Sequence, residues 1–436
     1  MNKNIIKQVL LEQKTEINTI LQEKIIVRDK ENVVKSAMSN RLIKVIIGVR
    51  RSGKSMLAHK ILTNKVYAYI NFDDERFIGA KTGDLNDFLE VLKEIEPQAK
   101  TLLLDEAQNI SGWELFANRL KRFGYNIIIT GSNARLLSRE LATHLTGRHV
   151  TIELYPFSFK EFILQCGYQF QADDFFITEK KAALKKYLEK YLEQGGFPEL
   201  FQIENKNQYL RDLYDKIISR DITPRHNVKY VKDLKEIALY LFSNFGSRYT
   251  YQKLSRAFGI KSVHTIKNYI SYLEEAYLLF ELMPFSFKAK QQINAPKKIY
   301  AIDTGMINAI ALQNSANFGR LMENAVFLEL KRRGHEIYYY SDALGRETDF
   351  VIKQGRKILQ LIQVCKEMEN LETREREIKS ILQASENLKC SELLIITALE
   401  EDELIIGKNK IKLIPLWKWL LSEPLIDAFT ALHKNI

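Results

Sequence analysis

The chain has 436 residues, 46% hydrophobic and 11% aromatic, with a formal net charge of +11. That composition excludes a disordered chain and a single small domain, and the excess of Lys and Arg points to a polyanionic partner. The three cysteines, Cys166, Cys365 and Cys390, form neither a CxxC pair nor a disulfide framework, which suits a reducing cytoplasm; no run approaches the ~18 apolar residues of a membrane span.

Residues 1–40 read as helical and charged, without a signal-peptide core. From Leu42 the texture changes. LIKVIIG is a short apolar run ending in Gly, and a helix is expected from about Lys54. VYAYINF (66–72), TLLLDE (101–106), NIIITGS (126–132) and HVTIEL (149–154) read as four further strands, with helices over DLNDFLEVLKEI, WELFANRLKRFG and ARLLSRELATHLTG between them. Strands alternating with helices imply an α/β unit with a parallel sheet.

GVRRSGKS (48–55) fits G-x-x-x-x-G-K-[ST] and stands after an expected strand and before an expected helix. Such a loop turns successive N–H groups inward, and the helix N-terminus adds positive potential, so phosphate binds there. Gly48, Arg51, Ser52, Gly53, Lys54 and Ser55 form the candidate cradle, with Lys54 reaching the terminal phosphates and Ser55 holding Mg²⁺. Arg50 and Arg51 occupy variable positions, either solvated or facing a neighbouring subunit. LLLDEAQ (102–108) ends a strand in two acids: Asp105 is expected in the Mg²⁺ shell, and Glu106 as the base that orients attacking water. Ser132 or Asn133 would lie beside the γ-phosphate, or simply cap the next helix. Arg148 is placed to project toward a neighbouring subunit's nucleotide, or to answer a helix dipole.

GVRRSGKS, LLLDEAQ, ITGSNARLLS, LTGRHVTIELYPFSFKEF and YLEQGGFPEL, in that order, resemble the bacterial and archaeal AAA+-like ATPases that carry an added C-terminal region; IYAIDTGM, LMENAVFLEL, ETDFVI and LIQVCKE resemble that region. The resemblance implies ATP and Mg²⁺, ring or hexamer assembly, and engagement of DNA.

Beyond residue 157 a mostly helical stretch is expected, with a GGFP break at Gly195–Pro198. TYQKLSRAFGI followed by SVHTIKNYISYLEEA has the spacing of a helix-turn-helix, and a wing could follow. From Arg248 to Lys298 nine basic residues face three acids, a balance of +6. Arg248, Lys253, Arg256, Lys261, Lys267, Lys288 and Lys290 are the candidate DNA contacts, the alternative being a solvated packing module. Further on, Glu323, Asp349 and the strand QLIQVCK have the order of a PD-(D/E)XK nuclease core, but Gln363-Val364-Cys365 stands where an acid and a lysine are expected. That reads as a nuclease-like fold kept for binding or assembly, with Glu323 and Asp349 in structural roles, for example capping or pairing with Arg332 or Arg346.

The expected fold class is α/β: a P-loop NTPase parallel sheet, then a helical lid, a winged helix-turn-helix and an α/β nuclease-like domain. The boundaries fall at 1–40 (N-terminal helices), 41–157 (ATPase core), 158–230 (lid), 231–296 (winged helix) and 297–436 (nuclease-like). The leading expectation is a cytoplasmic, oligomeric ATPase acting on duplex or branched DNA, with no membrane partner. A nucleotide-gated signalling or defence ATPase engaging a protein is the alternative, and an ATP-regulated nuclease the lesser one.

Overall fold

The computed structural model describes residues 1–22, 25–132, 147–312 and 318–422. The chain divides into two compact units, Met1–Pro156 with Glu275–Tyr277, and Phe157–Glu274 with Leu278–Ile436.

The first unit opens with α1 (Lys3–Ile20) and α2 (Glu31–Ala37). Strands β1 (Ile43–Ile47), β2 (Tyr67–Asn71), β3 (Thr101–Asp105), β4 (Asn126–Gly131) and β5 (His149–Glu153) alternate with α3 (Lys54–Leu62), α4 (Leu85–Ile95) and α5 (Trp113–Arg122). All pairings are parallel and the order is β2-β3-β4-β1-β5. Each residue of β1 is buried, as expected of a strand covered on both faces. The core joins Ile46, Leu103, Ile128 and Ile152 from the sheet to Leu57, Ala58 and Ile61 from α3, with Val34 of α2 beside them. Helix α1 buries Ile6, Val9, Leu10, Gln13 and Ile17, a helical spacing that makes one face. That face packs toward α4, and Lys3 and Lys7 pair with Glu90 and Glu94 at 2.5 and 3.1 Å along its edge. The expected strands are thus all present. The helix expected over 134–147 falls, but for its last residue, outside the described residues.

The second unit begins with helices α6 (Phe159–Gln165), α7 (Thr178–Gln194), α8 (Lys206–Lys216), running into a π-helical turn over Ile217–Ile222, and α9 (Val231–Ser243). The GGFP break is a close approach. Gly195 has φ 81°, and a Cβ there would lie 2.0 Å from Asp303 Oδ1, while Gly196 N donates to Asp303 Oδ2 at 2.7 Å. Next come β6 (Arg248–Tyr249), α10 (Tyr251–Ala257), α11 (Val263–Glu275), β7 (Leu279–Leu282), α12 (Ala289–Asn294) and β8 (Lys297–Ala301), with an antiparallel sheet in the order β6-β8-β7. After α13 (Thr304–Ile310) and α14 (Phe318–Arg332), a mixed six-stranded sheet forms from β9 (Glu336–Ser341), β10 (Glu347–Gln354), β11 (Lys357–Val364), β12 (Leu393–Thr397), β13 (Asp402–Ile406) and β14 (Asn409–Pro415), in the order β13-β14-β12-β11-β10-β9. Helix α15 (Leu371–Leu388) covers it through Ile381, Ala384 and Leu388, and α16 (Leu416–Leu421) follows β14. Among the described residues no helix is long and apolar enough to cross a membrane.

Candidate functional site

At the C-terminal end of β1 the backbone must turn sharply. Gly48 has φ 153°, and a Cβ there would meet Leu154 O at 2.0 Å, so no side chain fits without displacing the neighbouring backbone. Arg51 takes a left-handed φ of 67° and Gly53 one of 90°, and Lys54 then opens α3. Arg28, 6% exposed, fastens this loop from outside: one guanidinium nitrogen donates to Ser52 O and another to Tyr155 O, each at 2.8 Å. Arg50 pairs with Asp73 at 3.1 Å, and Arg51 is exposed.

Strand order brings the second half of the site. β4 lies between β1 and β3, so side chains at its end reach the acids at the end of β3. Ser55 Oγ donates to Asp105 Oδ1 at 2.9 Å, Thr130 Oγ1 donates to the same oxygen, and Tyr69 OH donates to Oδ2 at 3.4 Å. Glu106 adopts a left-handed φ of 48°, a conformation costly for a residue with a side chain. Its N–H donates to Thr130 Oγ1 at 3.1 Å, and its Oε2 accepts from Ser132 N at 3.2 Å and from the Gln108 side-chain amide. Lys54 Nζ donates to Val49 O at 3.0 Å and stands 3.7 Å from Glu106 Oε1. Arg148 is exposed, with Nη1 donating to Asn118 Oδ1 at 2.9 Å. Asn133 lies outside the described residues.

The electrostatics separate the two acids. Burial, with the charge of Glu106 beside it, pushes Asp105 up to about 6, against the hydrogen bonds from Thr130 and Ser55 and the charge of Lys54. Burial also acts to raise Glu106, but Lys54, Gln108, Arg50 and Ser132 outweigh it and hold the carboxyl below its ordinary value. Two observations fit a nucleotide with Mg²⁺: Ser52 Oγ is buried in the loop without a hydrogen-bond partner, and Ser55 and Asp105 meet at hydrogen-bond distance where they could share a cation. One carboxylate and one hydroxyl suffice for Mg²⁺, which keeps waters and takes its other ligands from phosphates.

A second polar cluster lies in the other unit, and it corrects two expectations. Glu323 and Asp349 do not pair with Arg332 or Arg346, which pair with Glu329 and Asp342 instead. They pair with Lys298, whose Nζ lies 2.8 Å from Glu323, 2.9 Å from Asp349 and 2.6 Å from Glu347. Lys298 was counted among the basic surface residues; it is 2% exposed, and Lys297 is buried as well, over the Tyr251 ring. Burial opposes the Lys298 charge, but the three carboxylates outweigh it and raise its pKa well above the ordinary value. Gln363 joins the group: its Oε1 accepts from Asp349 N at 3.3 Å and its Nε2 donates to Glu377 at 2.6 Å. The remaining basic candidates, Lys253, Arg256, Lys261, Lys267, Lys288 and Lys290, are exposed; Arg248 is exposed too but pairs with Glu347 at 3.2 Å.

Thr130, Tyr69, Gln108 and Arg28 escaped the sequence reading of the first site, and Lys298, Glu347 and Glu377 that of the second. Thr130 had a signal, since it precedes Gly131-Ser132 at a strand end; Lys298, 51 positions before Asp349, had none.

A protein of Methanocaldococcus jannaschii named "Uncharacterized protein MJ1544" is 39% identical over 431 residues, spanning 92% of this chain and 96% of that one. Residues 40–163 match the AAA domain. The chain belongs to this family of AAA-domain P-loop ATPases. An "Uncharacterized protein" of Haemophilus influenzae is 32% identical over 398 residues, 87% of this chain and 94% of its own. Behind the AAA domain, residues 185–317 and 318–419 match two domains of unknown function, DUF8612 and DUF4143. Among solved structures, the Walker-type ATPase paby2304 of Pyrococcus abyssi is similar at a TM-score of 0.42 and 14% identity, over 66% of this chain and 96% of that one. The AAA domain contains the Gly48 loop, Asp105, Glu106 and Thr130, whereas the Lys298 cluster takes its lysine from the DUF8612 match and its acids from the DUF4143 match.

Proposed function

We propose that the chain binds and hydrolyses ATP and uses the cycle to act on DNA as an oligomeric ring. The observation that carries the ATPase reading is the convergence of Lys54, Ser55, Asp105 and Glu106 at the Gly48 loop, with Ser55 2.9 Å from Asp105 and Lys54 3.7 Å from Glu106. Gly48, Arg51, Ser52 and Gly53 cradle the phosphates through their backbone, and Lys54 leaves Val49 O for the terminal phosphate oxygens. Ser55 and Asp105 hold Mg²⁺, which when bound neutralises charge on the phosphates. Glu106, ionised and aimed by Ser132 N and Gln108, orients the attacking water and accepts its proton. In this reading Ser132 senses loss of the γ-phosphate, and Arg148 reaches a neighbouring subunit's site.

The DNA reading is supported by the order α9, β6, α10, α11, β7, α12, β8, that of a winged helix with a short helix inside the wing, and by Lys253, Arg256, Lys261 and Lys267, exposed on or between α10 and α11. We keep the domain boundaries given above, except that the winged helix on this reading runs on through β8 to Ala301. The mixed sheet behind it we take as nuclease-like in plan and non-catalytic, because Lys298 holds the place a metal would need among its acids.

ATP turnover, measured with and without duplex or branched DNA over a salt series, tests this. Stimulation should fall steeply as salt rises. Lys54→Ala should lose turnover, and Glu106→Gln should bind ATP yet turn over at least about 100-fold more slowly. Wild-type turnover in Glu106→Gln would remove the assigned base, and a flat response to every DNA would remove the DNA reading while leaving the ATPase.

A further inference from the structure

A groove of about 520 Å³ opens in the second unit between the segment joining β7 to β8 and the turn joining β9 to β10. Arg248, Phe285, Phe287, Lys288, Tyr340 and Asn387 line it. Its size is that of a site for one small ligand, and its lining combines flat rings with charge and amide groups.

Phe287, on the groove's lining, is 79% exposed. It is not a loose side chain on a loose loop. Its ring meets Phe285 edge-on at 5.1 Å, and Phe285 meets Tyr338 edge-on at 5.8 Å. Phe285 N donates to Tyr339 O at 2.6 Å and Tyr339 N to Met283 O at 3.1 Å, so this segment runs beside β9 as an extra bridge. On the opposite wall Asn387 Nδ2 donates to Tyr340 OH at 3.0 Å.

The charge at the mouth is positive. Of the two acids nearby, Asp342 is paired with Arg346 at 2.6 Å, and Glu347 with Lys298 at 2.6 Å and with Arg248 at 3.2 Å. Lys288 and Lys290 are exposed, and among the described residues neither takes part in an ion pair.

We propose that this groove holds an unpaired nucleotide of a single-stranded nucleic acid, its base against Phe287 and Tyr340 and its phosphates toward Lys288. A base within a duplex has both faces covered by its neighbours and cannot use an exposed ring; an unpaired base can, and stacking on an aromatic side chain does not depend on sequence. An acidic peptide would answer the lysines but leave the flat rings unused. The inference rests on the nucleic-acid reading above and adds which form of strand is gripped, and where.

The test is fluorescence anisotropy with the full chain, titrated against a labelled oligothymidylate and a labelled blunt duplex, with free thymidine monophosphate as competitor. Phe287→Ala, at an exposed position that should not disturb folding, is expected to weaken the single strand about 5- to 100-fold and the duplex by less than about twofold. Thymidine monophosphate should compete only weakly, since it lacks the neighbouring phosphates. Equal loss on both nucleic acids, no loss on either, or competition by the free nucleotide as strong as by the strand would overturn the assignment. Duplex binding without single-strand binding overturns this inference alone; binding of neither overturns the DNA reading with it.

Discussion

His59 sits in α3 with its ring fully buried, Nδ1 at 2.8 Å from Tyr67 OH, its face edge-on to Tyr69 at 4.5 Å, and Nε2 without a partner. Burial lowers its pKa from 6.5 to about 4. The folded imidazole therefore stays neutral where the unfolded one takes a proton. The stability this represents is whole above the unfolded pKa and is lost as pH falls toward the folded one, amounting to about 3 kcal/mol across that window. Urea midpoints of the first unit, followed from neutral pH down through that window, should fall less steeply in His59→Leu than in the wild type; identical slopes would show that another group governs acid sensitivity. The same residue scale shows what sequence could reveal. Lys54, Ser55, Asp105 and Glu106 were legible because their chemistry needs those types at those spacings. Thr130 and Gln108 were not, because a threonine or glutamine at a strand end has many ordinary uses and only the fold shows Thr130 linking Asp105 to the Glu106 N–H. Arg28 was hidden for the opposite reason: it works through backbone carbonyls, which carry no sequence signature.

Among elements, β4 sets the geometry of the first site, since its place between β1 and β3 puts Thr130 and Ser132 beside acids that stand 25 or 26 positions earlier. β1, β3 and β4 declare themselves by nearly unbroken buried runs, whereas β2 and β5, at the sheet's two edges, were readable from β-branched and aromatic residues between helical stretches. β13 was not, because its residues are mostly exposed along a sheet edge and show no alternation. β14 does alternate, with Lys410 and Lys412 outward and Ile411 and Leu413 buried, yet it follows so closely on β13 that the pair reads as charged surface. β8 carries the sharpest lesson. Its Lys297-Lys298 looked like part of a basic footprint, and instead both residues are buried, one over a tyrosine ring and one among carboxylates. Lys298→Met should cost about 3–5 kcal/mol, because Glu323 and Asp349, little exposed, would be left without their counter-charge. Chemical denaturation of the second unit measures it, and adding Glu323→Gln and Asp349→Asn to the same background should restore part of the loss. An unchanged midpoint in Lys298→Met would mean that water already screens the cluster.

At the scale of the whole molecule, assembly is the reading that most needs a second subunit. Arg148 is exposed, and among the described residues its side chain donates to Asn118, which leaves it able to reach outward. If it completes a neighbour's site, Arg148→Ala should bind ATP normally and lose about 10³-fold in turnover. Mixing it with Lys54→Ala, which has an intact Arg148 but no working phosphate lysine, should recover activity, because mixed assemblies contain complete sites. Failure of the mixture to exceed the sum of its parts would return Arg148 to a solvated surface role. The net charge of +11 fits a polyanionic partner at this scale, though Lys297 and Lys298 take no part in it.

The Lys298 cluster has a practical corollary. An acidic pocket that borrows a divalent ion from solution can be emptied by a chelator and refilled, and its integrity follows the metal supply of the cell. Here the positive charge is carried on the polypeptide itself, delivered by β8 in the act of folding. EDTA should thus abolish nucleotide turnover in the first unit while leaving the unfolding midpoint of the second where it was, so that one reagent separates the two acidic centres of the protein.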